Sequence, residues 1–207
     1  MNVIAFLSQK GGSGKTTLSV HTAVAAEATG ERVCVIDADP QESATAWASA
    51  REAGTPIVAT AQAGELDAAL RAAEGEGMTL AVVDAPPHAA PAAGTAARSN
   101  AEGRTGIKTS SDLRAIWPAA VEIVTAAKVR GAFVLSACPF RAPEIGETRA
   151  ALEAYGLPIV PGEITDRRAF ARAVTTGSAV TEFEAEGRAA EEIRALWAWI
   201  KDALERK

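Results

Sequence analysis

The chain has 207 residues, 48% of them hydrophobic and 23% charged, with a formal net charge of −5. That length suits one well-buried α/β core, read here as a single domain over residues 1–207. The acidic balance excludes a surface coated in basic charge, so any nucleic-acid contact must come from a local patch. No apolar run approaches the roughly 20 residues of a membrane-spanning helix.

The first expected element is a strand at Val3-Ile4-Ala5-Phe6-Leu7. It starts without a charged-then-apolar leader, which sets the expectation of a cytoplasmic protein. Lys10-Gly11-Gly12-Ser13-Gly14-Lys15-Thr16-Thr17 follows, and then an alanine-rich helical pattern from Thr16 to about Ala28. A glycine-rich loop between strand and helix gathers backbone N–H groups where the helix dipole is positive, which suits phosphate. Lys15 is placed to reach the β- and γ-phosphates, and the Thr16 hydroxyl to reach Mg²⁺. Gln9 stands where the usual P-loop has glycine, and a second lysine, Lys10, stands at the loop's entrance.

Gly30 ends the helix, and Val33-Cys34-Val35-Ile36 forms a second strand running into Asp37-Ala38-Asp39-Pro40-Gln41. Residues i and i+2 of an extended chain face one side, which pairs the two carboxylates. Ser43 reads as the N-cap of a helix through about Arg51. A short strand at 56–59 and a helix from Glu65 to Ala73, closed by Gly75 and Gly77, come next. Leu80-Ala81-Val82-Val83 then leads into Asp84-Ala85-Pro86-Pro87, the form of a Walker B element. Ligands of open α/β sheets lie beyond the carboxyl ends of the strands, so Asp37, Asp39 and Asp84 should converge near the P-loop.

Residues 100–111 are polar and glycine-bearing, and no strand is expected there. Ser111 or Asp112 should cap a helix to roughly Lys128, followed by a strand at 132–138 and a helix at 143–155. A short strand at 157–160 and helices at 167–174 and 184–207 complete the pattern. Alternating strands and helices define an α/β fold with a doubly wound, mostly parallel sheet flanked by helices. Cys34 and Cys138 sit in strand-like runs and read as buried, reduced thiols rather than iron–sulfur ligands. His21 and His88 read as structural, with no further histidine or cysteine at metal-ligand spacing. The stripe Ile193, Leu196, Trp197, Ile200 and Leu204 reads as a helix packed on the sheet.

The Lys10–Thr17 loop, the Asp37-x-Asp39-Pro40-Gln41 element and the Asp84-x-Pro86-Pro87 element together resemble the ParA-type partition ATPases. These form the deviant-Walker-A branch of P-loop NTPases, which also contains MinD. The likeness is tightest over 1–47 and 79–91, and the chain resembles the short forms that lack an N-terminal DNA-binding extension. The resemblance implies ATP and Mg²⁺ as cofactors, with nucleotide held by Lys10, Gly11, Gly12, Ser13, Gly14, Lys15, Thr16 and Thr17. It implies that Lys10 crosses a homodimer interface to the partner's ATP, that Lys15 binds phosphate and that Asp39 positions the attacking water. Thr16 would ligate Mg²⁺, with Asp37 and Asp84 as its outer-shell partners.

It further implies an ATP-bound homodimer that holds nonspecific DNA through Arg167, Arg168, Arg172 and Arg188. A centromere-binding ParB/ParG-like protein would stimulate hydrolysis, giving a nucleoid-associated cytoplasmic protein that moves a plasmid or chromosome region. No stable membrane association is expected, since Glu191, Glu192, Asp202 and Glu205 oppose an anionic lipid surface. The alternatives are a MinD-like positioning ATPase for another cargo or a membrane, and a hydrolysis-defective nucleotide-binding relic. The missing strand at 100–111 is the departure from the family pattern that motivates the relic.

Overall fold

Strands with apolar side chains at nearly every position need cover on both faces, and the computed structural model provides it. The structure describes residues 1–8, 12–62, 64–86, 121, 124–125 and 128–206, together with the backbone of 107–110. Strands β1 (Asn2–Leu7), β2 (Val33–Asp37), β3 (Ile57–Thr60), β4 (Leu80–Asp84), β5 (Ile107–Ser110), β6 (Ala132–Cys138) and β7 (Ile159–Thr165) form one sheet. Their order is β3-β2-β4-β1-β5-β6-β7, and every pairing is parallel. The described helices are α1 (Lys15–Glu27), α2 (Ser43–Ser49), α3 (Leu66–Gly75), α4 (Glu144–Glu153), α5 (Arg168–Thr175), α6 (Val180–Phe183) and α7 (Arg188–Glu205).

The two-residue period of each strand sorts the core into two layers. Ile4 and Phe6 of β1 join Val33, Val35, Leu80 and Val82 against α1, Trp47 of α2, and α5 to α7. Val3, Ala5 and Leu7 point the other way, with Cys34, Ile36, Ala81 and Val83, under Leu66 and Leu70 of α3. A smaller cluster seats Leu152 of α4 on Phe133, Leu135 and Cys138. Both cysteines are free and buried, and burial pushes each thiol up to about 11.

Several boundaries differ from the sequence expectation, each for a physical reason. The polar stretch at 100–111 does supply a strand, β5, between β1 and β6. It meets β1 only at Phe6–Ile107 and Leu7–Lys108, but follows β6 from Ile107–Ala132 to Ser110–Leu135. Two buried strand edges need hydrogen-bond partners, and that requirement outweighs weak strand propensity. Ser43 is the first residue of α2 rather than its cap: Glu42 occupies the cap position at φ 50°, and the helix start is held from Asp37 instead. β7 runs past the expected end at 160 because Pro161 and Gly162 are tolerated in an edge strand. The helix expected at 184–207 begins only at Arg188, after Gly187, and the short α6 before it was not expected. The helix expected at 111–128 lies outside the described residues except for helical residues 121, 124 and 125. His88 also lies outside them.

The apolar stripe of α7 is spent in the core. Ile193, Leu196, Trp197, Ile200 and Leu204 are buried, and the Trp197 indole N–H donates to Thr29 Oγ1 at 2.8 Å. Among the described residues no helix is long and apolar enough to cross a membrane.

His21, inside α1, is fully buried. Its Nδ1 accepts the Val180 N–H at 3.2 Å, and its ring lies 5.2 Å from that of Phe170. Burial pushes its pKa down to about 3, with Glu182 opposing. The unfolded chain therefore takes up a proton below about pH 6.5 that the folded chain refuses. His21 thus costs stability as pH falls from 6.5 towards 3. Relative to His21→Gln, which keeps an acceptor but does not titrate, the native chain should lose about 1.4 kcal/mol per pH unit below pH 6.5. Urea unfolding of both proteins between pH 7 and 5 checks this, and a constant gap would refute it.

Candidate nucleotide site

The carboxyl ends of β1, β2 and β4 meet at the start of α1. Gln9, Lys10 and Gly11 lie outside the described residues, so the position of Lys10 is not described. Gly12 and Gly14 hold φ of 73° and 82°, a region costly for any residue with a Cβ. Gly14 also lies against β6, where an added Cβ would sit 3.2 Å from Ser136 Oγ. Gly14 caps α1, and the cap has no side-chain hydrogen bond and no acidic residue in the first turn. No acidic side chain of α1 itself thus lies at the positive end of its dipole.

Ser13 is buried with its hydroxyl unpartnered, and Thr16 and Thr17 follow in the first turn. Lys15 is 6% exposed. Burial lowers its pKa, while Asp84 and then Asp39 oppose that shift.

Asp84 is the most enclosed of the three carboxylates, fully buried at the end of β4. Its Oδ1 accepts the Ser19 hydroxyl at 3.3 Å, Thr16 also hydrogen-bonds the carboxyl, and Oδ2 has no partner. Burial, helped by Asp37 and Asp39, pushes it up to about 6 against the pull of Thr16 and Lys15. A buried, under-partnered carboxylate beside a threonine hydroxyl is a donor set suited to a hard divalent cation. Among the described residues no group of three His, Cys, Asp or Glu forms a ready-made metal cage. Mg²⁺ commonly relies on one or two protein oxygens with phosphate and water.

Asp37 is also buried, but its oxygens are occupied. Oδ2 accepts the Thr45 N–H at 2.9 Å and the Thr45 hydroxyl at 3.0 Å, and Oδ1 accepts the Asp39 N–H at 3.3 Å. It is the anchor of the 39–45 turn. Asp39, half-buried at the tip, accepts the Gln41 N–H at 3.0 Å. The sequence reading missed Ser19, Thr45 and Ser136. Ser19 carried a signal, a hydroxyl one helical turn beyond Thr16. Thr45 and Ser136 gain meaning only through partners distant in the chain.

The four arginines expected at a DNA face divide. Arg167 is committed to Glu192 at 2.8 and 3.1 Å, tying the start of α5 to α7, which makes it a framework residue rather than a free cation. Arg168 and Arg172 lie exposed one turn apart on α5, with the Arg172 guanidinium 5.0 Å over the Phe183 ring. Arg188 is exposed and pairs with Glu191 at 2.9 Å.

A glycine loop opening a helix from a central parallel strand, with lysine, threonine and a strand-end aspartate beneath it, defines a P-loop nucleotide-binding protein. The CobQ/CobB/MinD/ParA nucleotide binding domain family matches residues 4–180, and this chain belongs to that family. The maintenance of carboxysome distribution protein A of Gloeobacter kilaueensis is 47% identical over 87 residues, 41% of this chain. That match spans only 38% of the relative's own length. The apo McdA structure from Cyanothece superposes with a TM-score of 0.71 at 17% identity, covering 99% of both chains. The cobyrinic acid a,c-diamide synthase of Mycobacterium smegmatis, solved with an ATP analogue and magnesium, gives 0.75 at 15% identity over 99% of this chain and 96% of that one. At these identities the structures establish the shared fold.

Two outcomes follow. Asp84→Asn removes a buried charge that has one unpartnered oxygen and lies beside Asp37 and Asp39, so the ligand-free protein should become more resistant to urea while losing the stabilisation by Mg²⁺ and nucleotide expected of the native chain. Thermal shift with and without ligand reads both halves. Gly14→Ala should cost about 1–2 kcal/mol from its left-handed backbone alone, with a further loss at Ser136 and a drop of at least about tenfold in nucleotide affinity. Gly12→Ala, which has open space around it, should show only the backbone cost. Equal behaviour of the two variants would refute the role given to Ser136.

Proposed function

We propose that the chain is a ParA-like ATPase that binds Mg·ATP, dimerises, holds nonspecific DNA and hydrolyses ATP to move a cargo over that DNA. The observation that carries this reading is the gathering of Lys15, Thr16, Asp84 and the Asp37–Asp39 turn around one P-loop. Phosphoryl transfer needs positioning and charge neutralisation more than covalent chemistry. Lys15 neutralises the β- and γ-phosphates, the α1 N–H groups hold phosphate oxygens, and Asp39 orients the attacking water. Thr16 would hold Mg²⁺, with Asp84 and Asp37 as its outer-shell partners, and the ion would supply charge stabilisation for phosphoryl transfer. Lys10 reaches the partner subunit's nucleotide, so full neutralisation waits for dimerisation and ATP acts as a switch.

In this reading the DNA face is built from Arg168, Arg172 and Arg188, with Arg167 at its base held by Glu192, and the contacts go to phosphate without base readout. A partner of the ParB/ParG kind, bound at a centromere, would trigger hydrolysis and release. The likeness to a carboxysome distribution protein favours a second reading of the cargo, in which the same cycle distributes a protein body instead of a plasmid or chromosome region. Centromere DNA with its binding protein would accelerate hydrolysis only under the partition reading.

The deciding measurement is retention of duplex DNA with ATP, ADP or no nucleotide. The native chain should bind only with ATP, and Lys15→Ala should not bind. The Arg168→Ala/Arg172→Ala pair should bind more weakly, with the log–log salt slope reduced by about one per arginine. No retention with any nucleotide would refute the DNA reading.

A further inference from the structure

Helix α2 is held at both ends by side chains that tie distant parts of the chain together. At its start, Thr45 gives two hydrogen bonds to Asp37 Oδ2, and the Glu42 N–H donates to the Asp39 carbonyl at 2.9 Å. At its end, the Trp47 indole N–H donates to the Ser178 carbonyl at 3.0 Å. Arg51, just beyond, donates to the Gly177 carbonyl at 2.9 Å, to the Thr55 carbonyl at 2.5 Å and to both Glu182 oxygens at 2.7 and 2.8 Å. Its guanidinium also lies 5.0 Å over the Trp47 ring.

These contacts converge on the turn between α5 and α6. Glu182 holds that turn in place by accepting the Ala179 N–H at 2.8 Å, and the Arg51 hydrogen bonds keep its carboxyl below the usual range. The side chain of Arg51 is only 6% exposed while that of Glu182 is 39% exposed, so the guanidinium is enclosed and water reaches the pair from the carboxylate side. Gly177, at φ 66°, is pressed against the strut: a Cβ there would fall 2.4 Å from Ala50 and Arg51 backbone atoms. Backbone thus meets backbone, and neither side can shift without moving the other. Beyond the turn, Phe183 of α6 carries the Arg172 guanidinium of α5. A seven-residue helix is only about 10 Å long and has no interior glycine or proline at which to bend.

We infer that α2 is a strut that transmits the state of the Asp37–Asp39 turn to the α5–α6 turn, with Arg51 as the positioning residue of its far clamp. Whatever the nucleotide's terminal phosphate does to the Asp39 turn is then delivered to the segment that carries Arg168 and Arg172. The inference rests on the reading in which Asp39 faces ATP and α5 faces DNA, and it names the regulation of that site.

Amide hydrogen exchange of the full chain, with Mg²⁺ and either a non-hydrolysable ATP analogue or ADP, tests it. In the native protein, exchange should differ between the two nucleotides by at least about threefold at both 39–46 and 176–184. Arg51→Met should keep the difference at 39–46 and lose it at 176–184, with nucleotide affinity changed less than about twofold. Glu182→Gln, which retains an oxygen for the Ala179 N–H, should do the same and decides the matter if Arg51→Met does not fold. A native protein that responds at 39–46 but not at 176–184 overturns the strut, as do variants that keep the full response at both. Failure of calorimetry to detect any Mg·nucleotide binding overturns instead the ATP reading, and the strut with it.

Discussion

The site is organised around a carboxylate that the fold has taken out of water. Asp84 ends the strand that pairs with both β1 and β2, so its burial follows from the topology and not from local sequence. Asp37 and Asp39 add negative charge beside it, and Lys15 is the buried cation that opposes them. Such a cluster is costly without a ligand, because a buried charge needs both a counterion and hydrogen bonds. In the proposed reading, a divalent cation and an anionic phosphate arriving together would satisfy Asp84, the Ser13 hydroxyl and the first turn of α1 at once. The interactions that weaken the ligand-free fold are the ones that favour binding.

The sheet around this centre is uneven. β1 pairs with β4 from Asn2 to Phe6, but its other edge is covered only along two positions by a strand of Ile-Lys-Thr-Ser. The half of the molecule that carries β6, β7 and α4 is joined to the P-loop half through this seam, the Gly14–Ser136 approach and the wide core under α1 and α7. The α1–α7 face therefore holds the two halves together. His21 adds a buried polar link on that face, joining α1 to the start of α6.

The same economy governs charge at the surface. Arg167 and Arg51 look alike in sequence to the other arginines, but both are drawn inward by carboxylates far along the chain, Glu192 and Glu182. What remains exposed on α5 is the pair one turn apart, Arg168 and Arg172. A net charge of −5 leaves any contact with nucleic acid to a local, salt-sensitive patch and is poorly suited to constitutive coating of it.

The sequence by itself determined the parts whose chemistry is local. The P-loop, the strand-end aspartates, the doubly wound pattern and the buried stripe of α7 were legible because glycine at positive φ, period-two and period-3.6 patterning and short-range order dictate them. Tertiary structure decided the rest. Residues 107–110 became a strand because two open strand edges demanded one. Asp37 became the anchor of α2, displacing Ser43 as cap, because β2 delivers its carboxylate to Thr45. Arg167 became framework because α7 returns Glu192 to it, and Ser136 came to lie against Gly14 because β6 returns beside the P-loop. Each of these depends on a partner whose nearness is set by packing, and spacing along the chain carries no record of it.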